Sequence, residues 1–473
     1  METLGMTQSV CSRCGAIVPA KTVTDGQDVY FHKFCSEHGE TRVFVRSNLE
    51  DYLRSQRYVK SAWKPETFMG DARARCPEGC GFCERHEQHL CIPIIEITNR
   101  CDLVCPVCIN ASGRDTRKPF RPWDLSLEEL RHLLDKTLEA ERQLDIINFS
   151  GGEPLLHPKL LEMIDEALSR KEIIRISLST NGLRFLEEPR LLQELYKRHI
   201  VISLQFDGFE ENIYKDLRGR PILREKLEIL DMLKDCGITT SLTMTAAGGV
   251  NDDQFPKMLD YLFGHDHVVS LMVQPVAFVG RGANLSGKLA RLTIPDIVRL
   301  LDGAGHPAVK AEDFLPLPCS HPLCFSLAFF LMLDGGGVVS ISRLTDASTL
   351  MDSLSNRVIY GLDSGEHEKL KQMIYDLWSG PLGAVPDSQA ILSTLRNILR
   401  EMSNPSTDCS FDARWAFALA ERNVKSIFIH AFQDAETFDL ARVRRCCQAY
   451  PQPDGKLIPA CVHNVLRRDR LAH

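Results

Sequence analysis

The stretch Cys101-Asp-Leu-Val-Cys105-Pro-Val-Cys108, directly after the apolar run Ile92–Thr98, constrains this chain more than any other. Three thiols at x3 and x2 spacing, in a loop leaving a strand, can hold three irons of a cubane. The fourth iron is then free to bind another ligand. A zinc knuckle calls for two Cys pairs and a redox dithiol for one, so neither fits this spacing.

Composition narrows the setting. The chain has 17 cysteines among 473 residues and no basic segment leading into an apolar core at its start. That combination points to metal ligation in a reducing cytoplasm rather than to a disulfide framework. A net charge of -7 and a pI near 6.1 argue against nucleic acid as a partner. The longest apolar run, Ser326 to Leu333, is too short to span a bilayer.

The other thiols cluster. Cys11-Ser-Arg-Cys14 and Cys35-Ser-Glu-His38 flank a segment, Thr22 to Lys33, that reads as a small hairpin. Cys11, Cys14, Cys35 and His38 suit a tetrahedral structural site holding zinc or one rubredoxin-style iron. His32 could replace His38, but Cys-x2-His closes the tighter loop. Glu50 to Asp71 reads as a helix and linker. Cys76, Cys80 and Cys83 repeat the x3–x2 spacing without a strand before them, and Cys91 is expected to complete a four-cysteine 4Fe–4S cluster. A second cluster with one open iron, or a zinc site, are the alternatives there. Farther on, Cys319, Cys324 and Cys461, with either Cys446 or Cys447, are expected to hold a second auxiliary cluster. Cys236, at a helix end, reads as core packing, and Cys409 stands apart from every group.

From Ile92 onward, apolar strands (92–98, 145–150, 174–180, 201–207, 239–245, 270–276) alternate with amphipathic stretches such as Leu127 to Leu138 and Leu223 to Leu233. Six βα units imply parallel strands with right-handed crossovers in an open, TIM-like (β/α)6 barrel, whose chemistry lies at the carboxyl ends of the strands. Those ends carry the three cysteines, Gly151-Gly152-Glu153, Ser179 with Asn181, and Gln205 with Asp207. The organisation expected is a metal knuckle over 1–60, an auxiliary iron–sulfur segment over 61–91, the barrel over 92–300, and an auxiliary-cluster and substrate domain over 301–473. In that last part Leu370 to Trp378 and Ile391 to Met402 read as helices, a hairpin is expected around Asp334 to Gly337, and Lys425 to Phe432 reads as a strand. His430 reads as a core histidine before a catalytic one. Arg467-Arg468-Asp-Arg470 reads as a solvated basic tail, able to touch anionic lipid only weakly.

The Cys-x3-Cys-x2-Cys loop, followed about forty residues later by Ser150-Gly-Gly-Glu-Pro154, resembles the radical SAM superfamily. The resemblance implies S-adenosylmethionine (SAM) on the open iron of a catalytic 4Fe–4S cluster held by Cys101, Cys105 and Cys108. It also implies an electron donor of flavodoxin or ferredoxin type and contact between Gly151-Gly152-Glu153 and the SAM amino group. The Cys-x2-Cys and Cys-x2-His knuckle, Cys76-Pro-x-x-Cys80-Gly-x-Cys83, Pro318-Cys-Ser-His-Pro-Leu-Cys324 and the Cys446-Cys447 pair resemble, over nearly the whole chain, the tetraether lipid synthase family. Members of that family are also described as methyltransferases acting on a hydroxymethyl dihydropterin. This implies two auxiliary clusters, one mononuclear metal, and carbon–carbon coupling of lipid chain ends by a cytoplasmic enzyme, at the membrane surface in one reading. Methylation of a pterin or other small molecule, and peptide modification, are the rival chemistries.

Overall fold

A computed structural model describes residues 1–60, 62–71, 73–113, 120–354, 356–357, 387–403 and 413–468, with 368–369, 371–372 and 374–375. Cys409, Arg470 and most of the helix expected over Leu370 to Trp378 lie outside the described residues.

Strands β1 (Glu2–Val10), β2 (Ile17–Thr24), β3 (Val29–Cys35) and β4 (Gly39–Arg46) form an antiparallel sheet in that order. The expected hairpin is the β2–β3 pair, where Thr24 lies opposite Val29. Around its ligand end only Cys11, Val18 and Cys35 are buried together, a core too small to hold a fold without a cross-link.

All remaining strands belong to one twelve-stranded sheet. Its centre is β5 (Ile92–Thr98), β6 (Ile147–Gly151), β7 (Ile176–Thr180), β8 (Val201–Gln205), β9 (Thr240–Ala246) and β10 (Val268–Pro275). They are parallel and in sequence order, as a right-handed βα succession requires. The expected open barrel is present, within two residues at each strand start. The helix Leu127–Ala140 shows why the crossovers form. Ser126 and Glu129 make a reciprocal capping box, and Leu130, Leu133, Leu134 and Thr137 fall on one buried face. Gly237, at φ +66°, ends the helix Leu223–Cys236 in the left-handed conformation that favours glycine.

Side chains in the barrel strands alternate strictly. Ile147, Phe149, Ile176, Leu178, Ile202, Leu204, Leu242, Met244, Leu271 and Val273 face the helices and are at most 1% exposed. The intervening residues face the barrel interior. Each of these outward apolar side chains contributes roughly 1.5–3 kcal/mol by burial, which fixes strand register.

The carboxyl-terminal part adds strands at both edges. Past β11 (Leu315–Pro316) come β12 (Phe325–Met332) and β13 (Val338–Ser340), the expected hairpin. β14 (Val424–His430) runs parallel to β10 and antiparallel to β12. At the other edge, β15 (Gln448–Pro451) lies parallel to β5, with Gln448 opposite Ile92, and β16 (Leu457–Pro459) follows it. The basic tail differs from expectation. Arg468 pairs with Glu96 of β5 at 2.9 Å, and Arg467 donates to the carbonyls of Glu78 and Cys80. These arginines are held because the chain end lies across the barrel and the Cys76–Cys83 turn. No helix among the described residues is long and apolar enough to cross a membrane.

Candidate active site

The loop from Cys101 to Cys108 leaves β5 at the carboxyl edge of the sheet, and two adjacent glycines, Gly151 and Gly152, let the β6 loop close against its base. A Cβ on Gly151 would meet the Thr98 carbonyl at 2.2 Å, and one on Gly152 would meet the Arg100 carbonyl at 2.1 Å. Lacking side chains there, the β6 loop brings Gly152 N–H to Thr98 O at 2.7 Å and Glu153 N–H to Arg100 O at 2.6 Å. The close approach read from these glycines is thus made to the cysteine loop itself. From beyond β10, Arg281 donates its Nε–H to Cys105 O at 2.8 Å and its backbone N–H to Cys108 O at 3.0 Å.

Glu153 is 1% exposed, and its carboxylate accepts from Leu155 N, Thr180 Oγ1 and Asn181 N. Burial pushes this carboxyl up to about 7. Glu153 therefore orients Asn181, whose Nδ2 reaches Asp102 Oδ1 at 2.6 Å. Ser179 donates to Asn148. Asp207 is fully buried in a bidentate pair with Arg218, both contacts 2.6 Å, and also accepts from Thr245 N and Gln205 Nε2. Asp207, expected at the strand end with Gln205, is thus filled by protein donors, Gln205 Nε2 among them. Burial raises the Cys105 thiol, and the Arg218 guanidinium beside it pulls the other way. Lys226, buried among these groups, donates to the carbonyls of Asn181 and Gln205. Burial, with the Arg218 charge, pushes it down to about 7. Arg218, Lys226 and Arg281 escape sequence reading because none sits at a strand end or in a motif.

In the ribbon, the donors of Cys11, Cys14, Cys35 and His38 all lie within 4.8 Å of one another. Cys11 Sγ and Cys35 Sγ stand 3.7 and 3.6 Å from His38 Nδ1, and Cys14 Sγ stands 3.9 Å from Cys35 Sγ. Ligands at zinc bond lengths in a tetrahedron are spaced by roughly 3.5–3.8 Å, so the four fit a single ion. His32 is turned to Glu40 instead. Cys14→Ala is expected to release that ion and unfold the four-stranded ribbon while leaving the iron content unchanged. Zinc and iron counts by plasma emission, with proteolysis of the first 46 residues, check this.

The remaining thiols are grouped differently from expectation. Cys91 joins Cys319 and Cys447, all three sulfurs lying within 4.8 Å, rather than closing the Cys76–Cys80–Cys83 triplet. The reason is long-range: docking β15 on β5 directs the N–H groups of Cys91 and Ile92 onto Cys447 O at 2.8 and 3.1 Å. His89 places Nε2 3.5 Å from Cys91 Sγ and 3.1 Å from Asn356 O, while its Nδ1 meets Glu141 at 3.1 Å, so its ring flanks the three-thiol group. Cys324 is drawn away from Cys319, because Ala431 N–H bonds its carbonyl at the end of β14. It lines a cavity of about 10 Å³ with Cys446 and Cys461, and Arg442 donates to its sulfur at 3.2 Å. The vicinal pair therefore divides, one thiol to each group. A shared hydrogen bond with Cys80, helped by the Arg444 and Arg85 charges, brings Cys76 down to about 7 against the opposing effect of burial. Cys236 is half-buried against the barrel core.

Below the cysteine loop lies a barrel cavity of about 360 Å³. One wall is polar: Asn148, Ser150, Ser177, Ser179, Ser203, Ser241, Thr243, Ser270 and Gln274 line it from successive strands. Several pair laterally, as in Ser203–Thr243 at 2.9 Å and Ser270–Ser241 at 2.6 Å. The facing wall is aromatic, with Phe325, Phe329, Phe428 and Phe432. His430 belongs to this wall, stacked on Phe325 with centroids 3.9 Å apart, and burial pushes it down to about 3, so it is neutral. The polar wall can be read in the sequence as serine and threonine at alternate positions of Ile176–Thr180 and Thr240–Ala246, with Ser203 alone in Val201–Gln205.

Residues 95–262 match the radical SAM superfamily model, and residues 3–47 match that of the HMPTM N-terminal zinc ribbon domain. The chain is a radical SAM superfamily enzyme with an N-terminal zinc ribbon. It is 28% identical to the 7,8-dihydro-6-hydroxymethylpterin dimethyltransferase of Methanocaldococcus jannaschii, over 98% of this chain and 94% of that one. It is 29% identical to the GTP 3',8-cyclase of Staphylococcus epidermidis over 35% of this chain, and spans 49% of that cyclase. Among solved structures, the FeFe-hydrogenase maturase HydG from Carboxydothermus hydrogenoformans aligns with a TM-score of 0.38 at 12% identity, over 70% of this chain and 82% of that one.

Proposed function

We propose that this enzyme alkylates, most simply methylates, a small heteroaromatic substrate of the dihydropterin type. The observation that carries the reading is the two-faced cavity. Phenylalanine rings on one side offer stacking to a flat ring, and hydroxyl and amide groups on the other offer hydrogen bonds to its edges. An alkyl chain in the same place would offer no partner to the polar groups that are not already paired with one another, at roughly 1–3 kcal/mol for each one left dry. The whole-length similarity to a pterin dimethyltransferase supports the same choice. The lipid coupling implied by the tetraether resemblance has no comparable support.

In this reading Cys101, Cys105 and Cys108 would hold a 4Fe–4S cluster that works together with SAM. When bound, that group supplies one-electron cleavage of the SAM sulfonium to a 5′-deoxyadenosyl radical. Around it, Gly151-Gly152 and Arg281 keep the cysteine loop in place, and Glu153 fixes Asn181 and hence Asp102 at the barrel mouth. Ser179 and Asn148 face the cavity beneath. The sheet and the docked carboxyl-terminal strands keep water out. Auxiliary groups would be held by Cys76, Cys80 and Cys83, by Cys91, Cys319 and Cys447 beside His89, and by Cys324, Cys446 and Cys461. The ribbon ion is structural, and an external reductant supplies the electron. The organisation is then ribbon (1–60), auxiliary segment (61–91), barrel (92–300) and cap (301–473).

Anaerobic incubation with SAM, a one-electron reductant and 7,8-dihydro-6-hydroxymethylpterin should give a pterin heavier by one or two methyl groups, with 5′-deoxyadenosine as co-product. Mass spectrometry of the pterin fraction reads the result, and labelled SAM methyl identifies the donor. An unaltered pterin alongside dimerised alkyl chains in the lipids of an expressing host would replace this reading with the lipid one.

A further inference from the structure

We infer that Gln448 and Asn464 read a lactam edge, an N–H beside a carbonyl, on the substrate; this rests on the heteroaromatic reading above. Both residues line the barrel cavity, and each is only 6% exposed. Each carries one buried amide atom without a hydrogen-bond partner, Oε1 of Gln448 and Nδ2 of Asn464. Leaving such atoms dry costs free energy, so paired orphans on one cavity wall mark where a ligand's polar atoms belong.

The surroundings set which atom faces in. Asn464 Oδ1 accepts from Arg468 Nη2 at 2.8 Å and Nε at 3.2 Å, and Arg468 is anchored on Glu96 at 2.9 Å. With its oxygen taken, the Asn464 amide presents its NH2, a donor. Gln448 is the first residue of β15, held against Ile92 of β5, and presents an acceptor. A donor at Asn464 and an acceptor at Gln448, both lining one cavity, match the acceptor and donor of a pyrimidinone ring. Asn464 lies in the segment His463–Arg467, wound as a π-helix, a form found often at functional sites. The Phe325 and Phe432 rings on the facing wall would then take the ring's flat side.

The test is binding of 7,8-dihydro-6-hydroxymethylpterin to the cluster-loaded, SAM-bound enzyme by anaerobic calorimetry. Asn464→Asp keeps the oxygen for Arg468 and replaces the donor by an acceptor. Gln448→Leu removes the acceptor at similar size. Each is expected to weaken binding by about tenfold to a hundredfold, the cost of one unanswered buried polar group. Iron content and melting temperature verify that each variant is loaded and folded. A measurement without substitution runs alongside: the N3-methyl pterin, lacking the lactam N–H, should bind the wild type worse by a similar factor and Gln448→Leu with little further loss. Wild-type binding with unchanged affinity in both variants and for the N3-methyl ligand overturns this inference and leaves the substrate class standing. A wild type that binds no pterin overturns both.

Discussion

Cys105→Ala is expected to bring 5′-deoxyadenosine formation from SAM down to background, while zinc in the ribbon stays bound. The Arg218 guanidinium stands beside Cys105 and favours its thiolate against burial. Removing the sulfur takes away one of three cluster ligands and leaves that guanidinium facing an empty corner. Cys236→Ser is the matching control, because Cys236 donates only weakly to Leu192 O at 3.9 Å and stands on the helix side of the sheet. Chromatography of the reaction mixture, with iron content measured on the same samples, checks both variants. Full 5′-deoxyadenosine output from Cys105→Ala would remove the catalytic assignment of the loop.

The second large effect is on stability. Asp207→Ala is expected to destabilise the folded chain by about 3–5 kcal/mol, because Arg218 would be left charged and buried with its two hydrogen bonds to Asp207 broken and that to Thr245 remaining. Asp207 also caps Thr245 N at 3.0 Å and so ties β8 to β9 beneath the cysteine loop. The double variant Asp207→Leu with Arg218→Met should be less damaging than Asp207→Ala alone, since it removes both charges and fills the space. Denaturant titration of the loaded protein, followed by near-ultraviolet circular dichroism, measures the difference. An Asp207→Ala protein as stable as the wild type would mean that solvent reaches Arg218.

Much of this arrangement can be read from the chain because it depends on local pattern. The six barrel strands show alternation at period two, the helices between them show period 3.6, and the cysteine loop follows the first strand directly. The knuckle is legible for the same reason: its four ligands come from two short turns, and the β2–β3 hairpin is short enough to bring them together. The auxiliary thiols are not legible in this way. Whether Cys91 belongs with Cys83 or with Cys447 is decided by β15 docking on β5, a pairing of residues about 350 positions apart. The fate of Arg468 is likewise decided by Glu96, 372 positions away, so a basic cluster that looks solvated is an anchor for Asn464. The polar barrel wall is a different matter. Its groups near the strand ends, Ser179 among them, are legible in the sequence, whereas Ser203, Ser241 and Ser270 carry no turn or motif to mark them.

The central claim is that the Cys101–Cys108 loop leaves one iron open for SAM. Electron paramagnetic resonance of the reconstituted, reduced enzyme, with and without SAM, tests it most directly. The account predicts that one 4Fe–4S signal shifts when SAM is added and that this responsive signal is missing in Cys105→Ala, the auxiliary signals remaining. Spectra identical with and without SAM would contradict it.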